Sequence, residues 1–119
     1  MADKTDKKLM IVDCDTGVDD AHAILMAVSH PGTHLLAITC VQGNVGVDQV
    51  CCNVGRTLDA CKQDGFVEPV PIYKGASHSI LNHPVTNHNF HGKDGLGDSP
   101  CENTIEYKVG RHRHPYSRR

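Results

Sequence analysis

The sequence predicts an α/β domain built on a parallel sheet, and three observations carry that prediction. Two short continuous apolar runs, Leu9 to Val12 and Leu35 to Val41, suit strands buried on both faces. Each run is followed by apolar residues recurring at helical spacing. A third run, Val70-Pro71-Ile72-Tyr73, completes a β-α-β-α-β order, which calls for parallel strands joined by right-handed crossovers.

After the first strand, Ala21, Ile24, Leu25 and Val28 form one apolar stripe. Their helix starts near Asp19 and stops before His30-Pro31-Gly32, since proline lacks the amide that would continue it. Asp19 and Asp20 fall in its first turn, where carboxylates favour the helix dipole. After the second strand, Val47, Val50, Val54, Leu58 and Cys61 define a second amphipathic helix ending around Asp64-Gly65, with glycine in the usual stop position. From Lys74 to Pro100 the chain is rich in Gly, His, Asn, Ser and Pro and has no periodicity, the mark of a functional or disordered loop. Cys101 to Arg119 ends in a basic run without amphipathic pattern and reads as a solvated, flexible tail. A three-strand unit of this kind leaves one sheet edge uncovered.

With 119 residues there is room for one small domain or for a piece of a larger one. A formal net charge of -2 recommends neither nucleic acid nor an anionic membrane as partner. Asp13 interrupts the first apolar run far too early for a signal peptide or a membrane span, so a reducing cytoplasmic location is expected. There the six cysteines stay thiols, and with no C-x-x-C pair they read as small buried apolar side chains. The histidine pairs His88/His91 and His112/His114 lack partners at zinc-finger spacing.

The chemistry concentrates in Asp13-Cys14-Asp15-Thr16-Gly17-Val18-Asp19-Asp20, where four carboxylates lie within eight residues. Two unit charges about 4 Å apart repel by roughly 4 kcal/mol at an effective dielectric near 20, a penalty that a divalent cation removes. Carboxylate oxygens suit Ca²⁺ or Mg²⁺ better than zinc, and flexible carboxylate geometry leans towards Ca²⁺. Cys14, between Asp13 and Asp15, points to the opposite face of the strand. An EF-hand fails, because counting from Asp13 its sixth and twelfth positions hold Val18 and Ile24 in place of Gly and Glu. A haloacid-dehalogenase-type phosphatase shares the strand-D-x-D start but does not call for Gly17 or the Asp19-Asp20 pair. An acidic helix cap explains Asp19 and Asp20 and leaves Asp13 and Asp15 without a reason. In an open parallel sheet ligands bind beyond the carboxyl ends of the strands, where Asp15, Asn44 and the Gly-His-rich segment all fall.

The run from Ile11 to Ala23 resembles the N-terminal signature of the inosine-uridine-preferring nucleoside hydrolases. The likeness continues through Leu36-Ala37-Ile38-Thr39, Gly43-Asn44, Pro71-Ile72-Tyr73-Lys74-Gly75 and His91-Gly92-Lys93-Asp94-Gly95-Leu96-Gly97. It implies a partial Rossmann-like domain over residues 8–98, followed by a divergent tail over 99–119. It implies hydrolysis of the N-glycosidic bond of ribonucleosides to ribose and free base with a bound Ca²⁺. Carried over, Asp15 and Asp20 would ligate the ion, and Asp15 would accept the proton of the attacking water. Asp19, Asn44 and His91 would hold the ribose, and Asp13 would support the loop. Asp94 reads as turn chemistry. Family members are much longer, so the remaining ligands and the acid for the leaving base are expected outside this chain. The alternative is a non-catalytic isoform or fragment, as a homo-oligomer or associated with a full-length subunit.

Overall fold

The structure, a computed structural model, describes residues 6–66, 68–82, 89–98 and 108–109. Its elements are β1 (Lys8–Cys14), α1 (Val18–Ser29), β2 (Thr33–Cys40), α2 (Val47–Gln63), β3 (Ile72–Lys74) and β4 (Lys108–Val109). The four strands are parallel in the order β1-β2-β3-β4. The expected α/β order is therefore present, with each helix bounded as its sequence signals indicate. No helix among the described residues is long and apolar enough to cross a membrane.

One apolar cluster unites the sheet with both helices. Cys14, Ile38, Cys40 and Ile72 from the strands meet Ile24 of α1 and Val50, Cys51, Val54 and Leu58 of α2. Both helices thus cover the same face. A bulge helps to build it: Met10 pairs with Leu35 but Ile11 pairs with Ala37, so Leu36 is the extra residue. The re-phased alternation lets both Leu35 and Ile38 bury, and Leu36 stays exposed.

The first strand departs from expectation. Read as buried on both faces, β1 is an edge strand with Leu9 69% and Ile11 59% exposed. Among the described residues no element covers the face opposite the helices, and α1 packs chiefly on β2 and α2. Only alternate residues of β1 therefore turn inward, Val12 partly and Cys14 fully. The same placement narrows the stripe of α1, where Ile24 and Ala27 are buried while Leu25 is exposed.

The C-terminal segment also differs. It was expected to be irregular, yet Lys108 and Val109 pair with Tyr73 and Lys74. Two residues are too short a run for any periodicity to announce them. The remainder of the expected tail lies outside the described residues, as do Cys101, His88, His112 and His114. Cys14, Cys40, Cys51 and Cys61 are buried free thiols, in keeping with a packing role. Burial pushes the Cys51 and Cys61 thiols above their ordinary values, which keeps them unreactive.

Candidate active site

The acidic loop begins where β1 ends. Thr16 adopts a left-handed backbone with φ of 49°, uncommon for a β-branched residue. Its side chain is fully buried, and its hydroxyl donates to the carbonyl of Val50 at 3.2 Å. This anchor on α2 holds the turn that lets Gly17 cap α1 in extended conformation. Strand β1 thereby delivers Asp15, and the first turn of α1 delivers Asp19 and Asp20, to one place.

Asp15 and Asp20 form a pair. The amide of Asp15 donates to Asp20 Oδ2 at 3.2 Å, while Asp15 Oδ2 accepts from the amide of Asn44 at 3.0 Å. Gly43 lies directly against the Asp15 carboxylate, so close that a Cβ there would overlap it. Burial, hydrogen bonding with Asp15 and the charges of Asp15 and Asp19 together hold the Asp20 carboxyl above the usual carboxylate range. Such a pair favours a cation between or beside its oxygens. Among the described residues, however, no group of three or more His, Cys, Asp and Glu stands ready to hold a metal. The pair supplies carboxylate ligands of the right chemistry for a hard cation, and supplies only two of them.

Asp19, Asn44 and His91 converge on Gly17. A Cβ at Gly17 would come within 2.7 Å of Asn44 Nδ2, 2.8 Å of His91 Nε2 and 2.9 Å of Asp19 Oδ1. His91 Nδ1 accepts from the amide of Val18 at 3.2 Å, and its Nε2 lies 3.6 Å from Asp19 Oδ1. With Nδ1 engaged as an acceptor, the neutral ring carries its proton on Nε2, aimed at the Asp19 carboxylate. Three polar side chains, one from the first turn of α1 and two from separate loops, thus surround one glycine, immediately beside the carboxylate pair.

Asp13 stands apart from this group. It is exposed, accepts from the Thr39 hydroxyl at 2.6 Å and pairs with Thr39 in the β1/β2 register. Cys14, between Asp13 and Asp15, is buried on the helix-bearing face, as strand alternation requires.

Several residues that build the site were not singled out by the sequence. Gly17 and Gly43 are needed because neighbouring polar atoms occupy the space of a Cβ. Their only sequence signal is their place in the Thr-Gly and Gly-Asn turns after two strands. Thr16 carried no signal beyond its position. On α2, Asn53 is fully buried inside an otherwise apolar face, a polar interruption that could have been noticed. Its partner Asp94 belongs to a distant loop, and no local pattern announces that pairing.

A family model described as inosine-uridine preferring nucleoside hydrolase matches residues 10–116. The chain is 40% identical over 95 residues to the pyrimidine-specific ribonucleoside hydrolase RihB of Escherichia coli (strain SE11), covering 80% of this chain and 28% of that protein. Among solved structures it is similar to a purine-preferring ribonucleoside hydrolase from Gardnerella vaginalis, with TM-score 0.67, 36% identity, and coverage of 84% of this chain and 33% of the other. A plant nucleoside hydrolase, the PpNRh1 enzyme, gives TM-score 0.67 at 29% identity, covering 87% of this chain and 33% of the other. The chain thus spans about 28% of the length of the curated relatives it matches.

Proposed function

Since the chain belongs to the inosine-uridine preferring nucleoside hydrolase family, we propose that it carries the metal- and ribose-binding part of an enzyme that hydrolyses ribonucleosides to ribose and free base. The observation that carries this reading is the convergence of Asp19, Asn44 and His91 on Gly17 beside the Asp15–Asp20 pair. Relatives named for pyrimidine and for purine nucleosides share this segment. A segment common to both fits the part of the substrate common to both, the ribose. The phosphatase alternative has no support from the family.

In this reading Asp15 and Asp20 would hold Ca²⁺, which suits their oxygen ligands and would offset the burial and the neighbouring carboxylates that raise the Asp20 carboxyl. When bound, the ion supplies Lewis acidity towards water and neutralises the pair. Asp15 accepts the proton of the attacking water, its carboxylate fixed in place by the Asn44 amide. Asp19 and Asn44 take ribose hydroxyls, and His91 orients Asp19 through Nε2. Anionic oxygens around the sugar favour the positive charge of an oxocarbenium-like transition state. Asp13 supports the loop from outside through Thr39.

With two carboxylates in hand, a complete site takes further ligands from elsewhere in the domain or from an associated chain. The second reading is a non-catalytic form that works beside a full-length subunit. A cytoplasmic location belongs to the same proposal, supported by cysteines buried as thiols in the core.

Calcium titration of the melting temperature tests the reading. At ten times its Kd, Ca²⁺ should stabilise the chain by about 1.4 kcal/mol, and the Asp15→Ala, Asp20→Ala double variant should not respond. An unchanged response in the double variant overturns the metal assignment. Release of base from inosine or uridine, abolished by EDTA, tests catalysis directly; its absence at high protein concentration leaves the non-catalytic form.

A further inference from the structure

His91 reaches Gly17 from a loop that would have little reason to hold one shape on its own. The segment 91–98 contains neither helix nor strand. What fixes it is a polar clamp on α2. Asn53, fully buried, donates from Nδ2 to the carbonyl of Asp94 at 2.6 Å. Arg56 donates from Nη1 to Asp94 Oδ2 at 3.0 Å and to Asn53 Oδ1 at 3.2 Å, and that oxygen also accepts from Gln49 Nε2 at 3.0 Å. The Arg56–Asp94 pair is largely shielded, with side chains 11% and 23% exposed.

The clamp is transmitted to the histidine through the loop backbone. Asp94 Oδ1 accepts from the amides of Leu96 and Asp98, and Asp98 Oδ1 accepts from those of Lys93 and Asp94. Gly95, at φ of 79°, sits against Val45 and Asn53 where a side chain would crowd. The amide of Gly97 donates to the carbonyl of His91 at 2.7 Å, closing the loop onto the histidine itself. A shielded, charge-assisted contact at Asp94 thus sets the position of a ring three residues earlier in the chain, as preorganisation of a site requires.

We infer that Arg56, together with Asn53, is a positioning residue that holds His91 over Gly17 by locking the Asp94 turn to α2. What His91 is positioned for rests on the reading above; that it is positioned does not.

The test uses the whole 119-residue chain, labelled with ¹⁵N, and observes the ring nitrogens of His91, assigned by comparison with His91→Gln. The parent chain should show a ring with its proton on Nε2. In Arg56→Ala this signature should give way to averaged tautomers, while the Ile24 and Ile38 methyl signals keep their folded positions. Arg56→Lys, which retains a cation in reach of Asp94, should recover it at least in part. Should the His91 signature survive Arg56→Ala, or disappear only together with the Ile24 and Ile38 signals, the inference is overturned. A parallel titration with inosine should show Kd rising by about tenfold or more in Arg56→Ala. If the parent chain binds no inosine, the functional reading fails while the tautomer experiment still decides the clamp.

Discussion

The amide of Asp15 donates to Asp20 Oδ2 at 3.2 Å, so the turn after β1 seats the Asp20 carboxylate against the backbone of Asp15. Burial and the Asp15 carboxylate hold the Asp20 carboxyl above its ordinary 3.8. A carboxyl raised in the folded state contributes stability below the unfolded pKa, and that stability is lost as pH rises through the folded value. At neutral pH without a divalent ion, ionised Asp20 therefore works against the fold. Asp20→Asn should melt higher than the parent chain in EDTA at pH 7, and the difference should close below about pH 4. With added Ca²⁺ the parent chain should gain more than the variant. Thermal melts across pH with and without calcium check both signs, and a variant that melts lower in EDTA refutes the argument.

Gly17 and Gly43 separate the two halves of the site. Gly43→Ala forces a methyl group into the Asp15 carboxylate and should cost about 1–3 kcal/mol, with loss of the calcium response. Gly17 has φ of -72°, which alanine adopts freely, and the atoms a methyl group would meet are side-chain ends, so Gly17→Ala should lower the melting temperature less than Gly43→Ala. Its methyl group would instead press on Asn44, His91 and Asp19 and remove ribonucleoside binding. Calorimetry with inosine decides the second case; binding at the parental affinity would mean that the trio does not form the sugar site.

Thr16 offers a test of the anchor. Thr16→Val removes the hydroxyl that donates to Val50 and keeps the β-branched shape in the left-handed turn. The lost hydrogen bond should lower stability by about 1 kcal/mol, a fall of several degrees in melting temperature for a domain of this size. Urea denaturation followed by circular dichroism measures it.

The fold was legible where burial is periodic and local. Val47, Val50, Val54, Leu58 and Cys61 lie on one face of α2, and all five are buried. β1 was misread because its apolar run carries no record of which neighbours lie beside it. Leu9 and Ile11 look like core residues and are exposed, since the strand is at the sheet edge. The acidic segment stood out because four carboxylates fall within eight residues, of which the fold brings Asp15 and Asp20 together and leaves Asp13 apart on β1. The contribution of Arg56 was not, because the salt bridge to Asp94 spans 38 positions and depends wholly on how the loop folds back.

That contrast within the sheet is measurable. Ile38 is fully buried between the helices and its neighbours, so Ile38→Ala should cost about 2–5 kcal/mol. Ile11 is 59% exposed on the open face, so Ile11→Thr should change stability by less than about 0.5 kcal/mol. Chemical denaturation midpoints compare the two. A large loss at Ile11 would show that this face is covered in solution.

Asp94 supplies the acid limb of stability. Burial pushes its carboxyl up, but hydrogen bonds from the Leu96 amide, Arg56 and the Asp98 amide together hold it below its ordinary 3.8. A depressed carboxyl contributes stability that is present above the unfolded pKa and is lost as pH falls through the folded value. Asp94→Asn should therefore melt lower than the parent chain at pH 7, and the two curves should converge below about pH 4 as the parental carboxylate is protonated. The amide of Gly97, bonded to the carbonyl of His91, should exchange faster with solvent in the variant, because the turn that presents it has lost its charged partner. Melting curves that stay separated by the same interval down to pH 3 would place the effect of Asp94 in its shape and not in its charge.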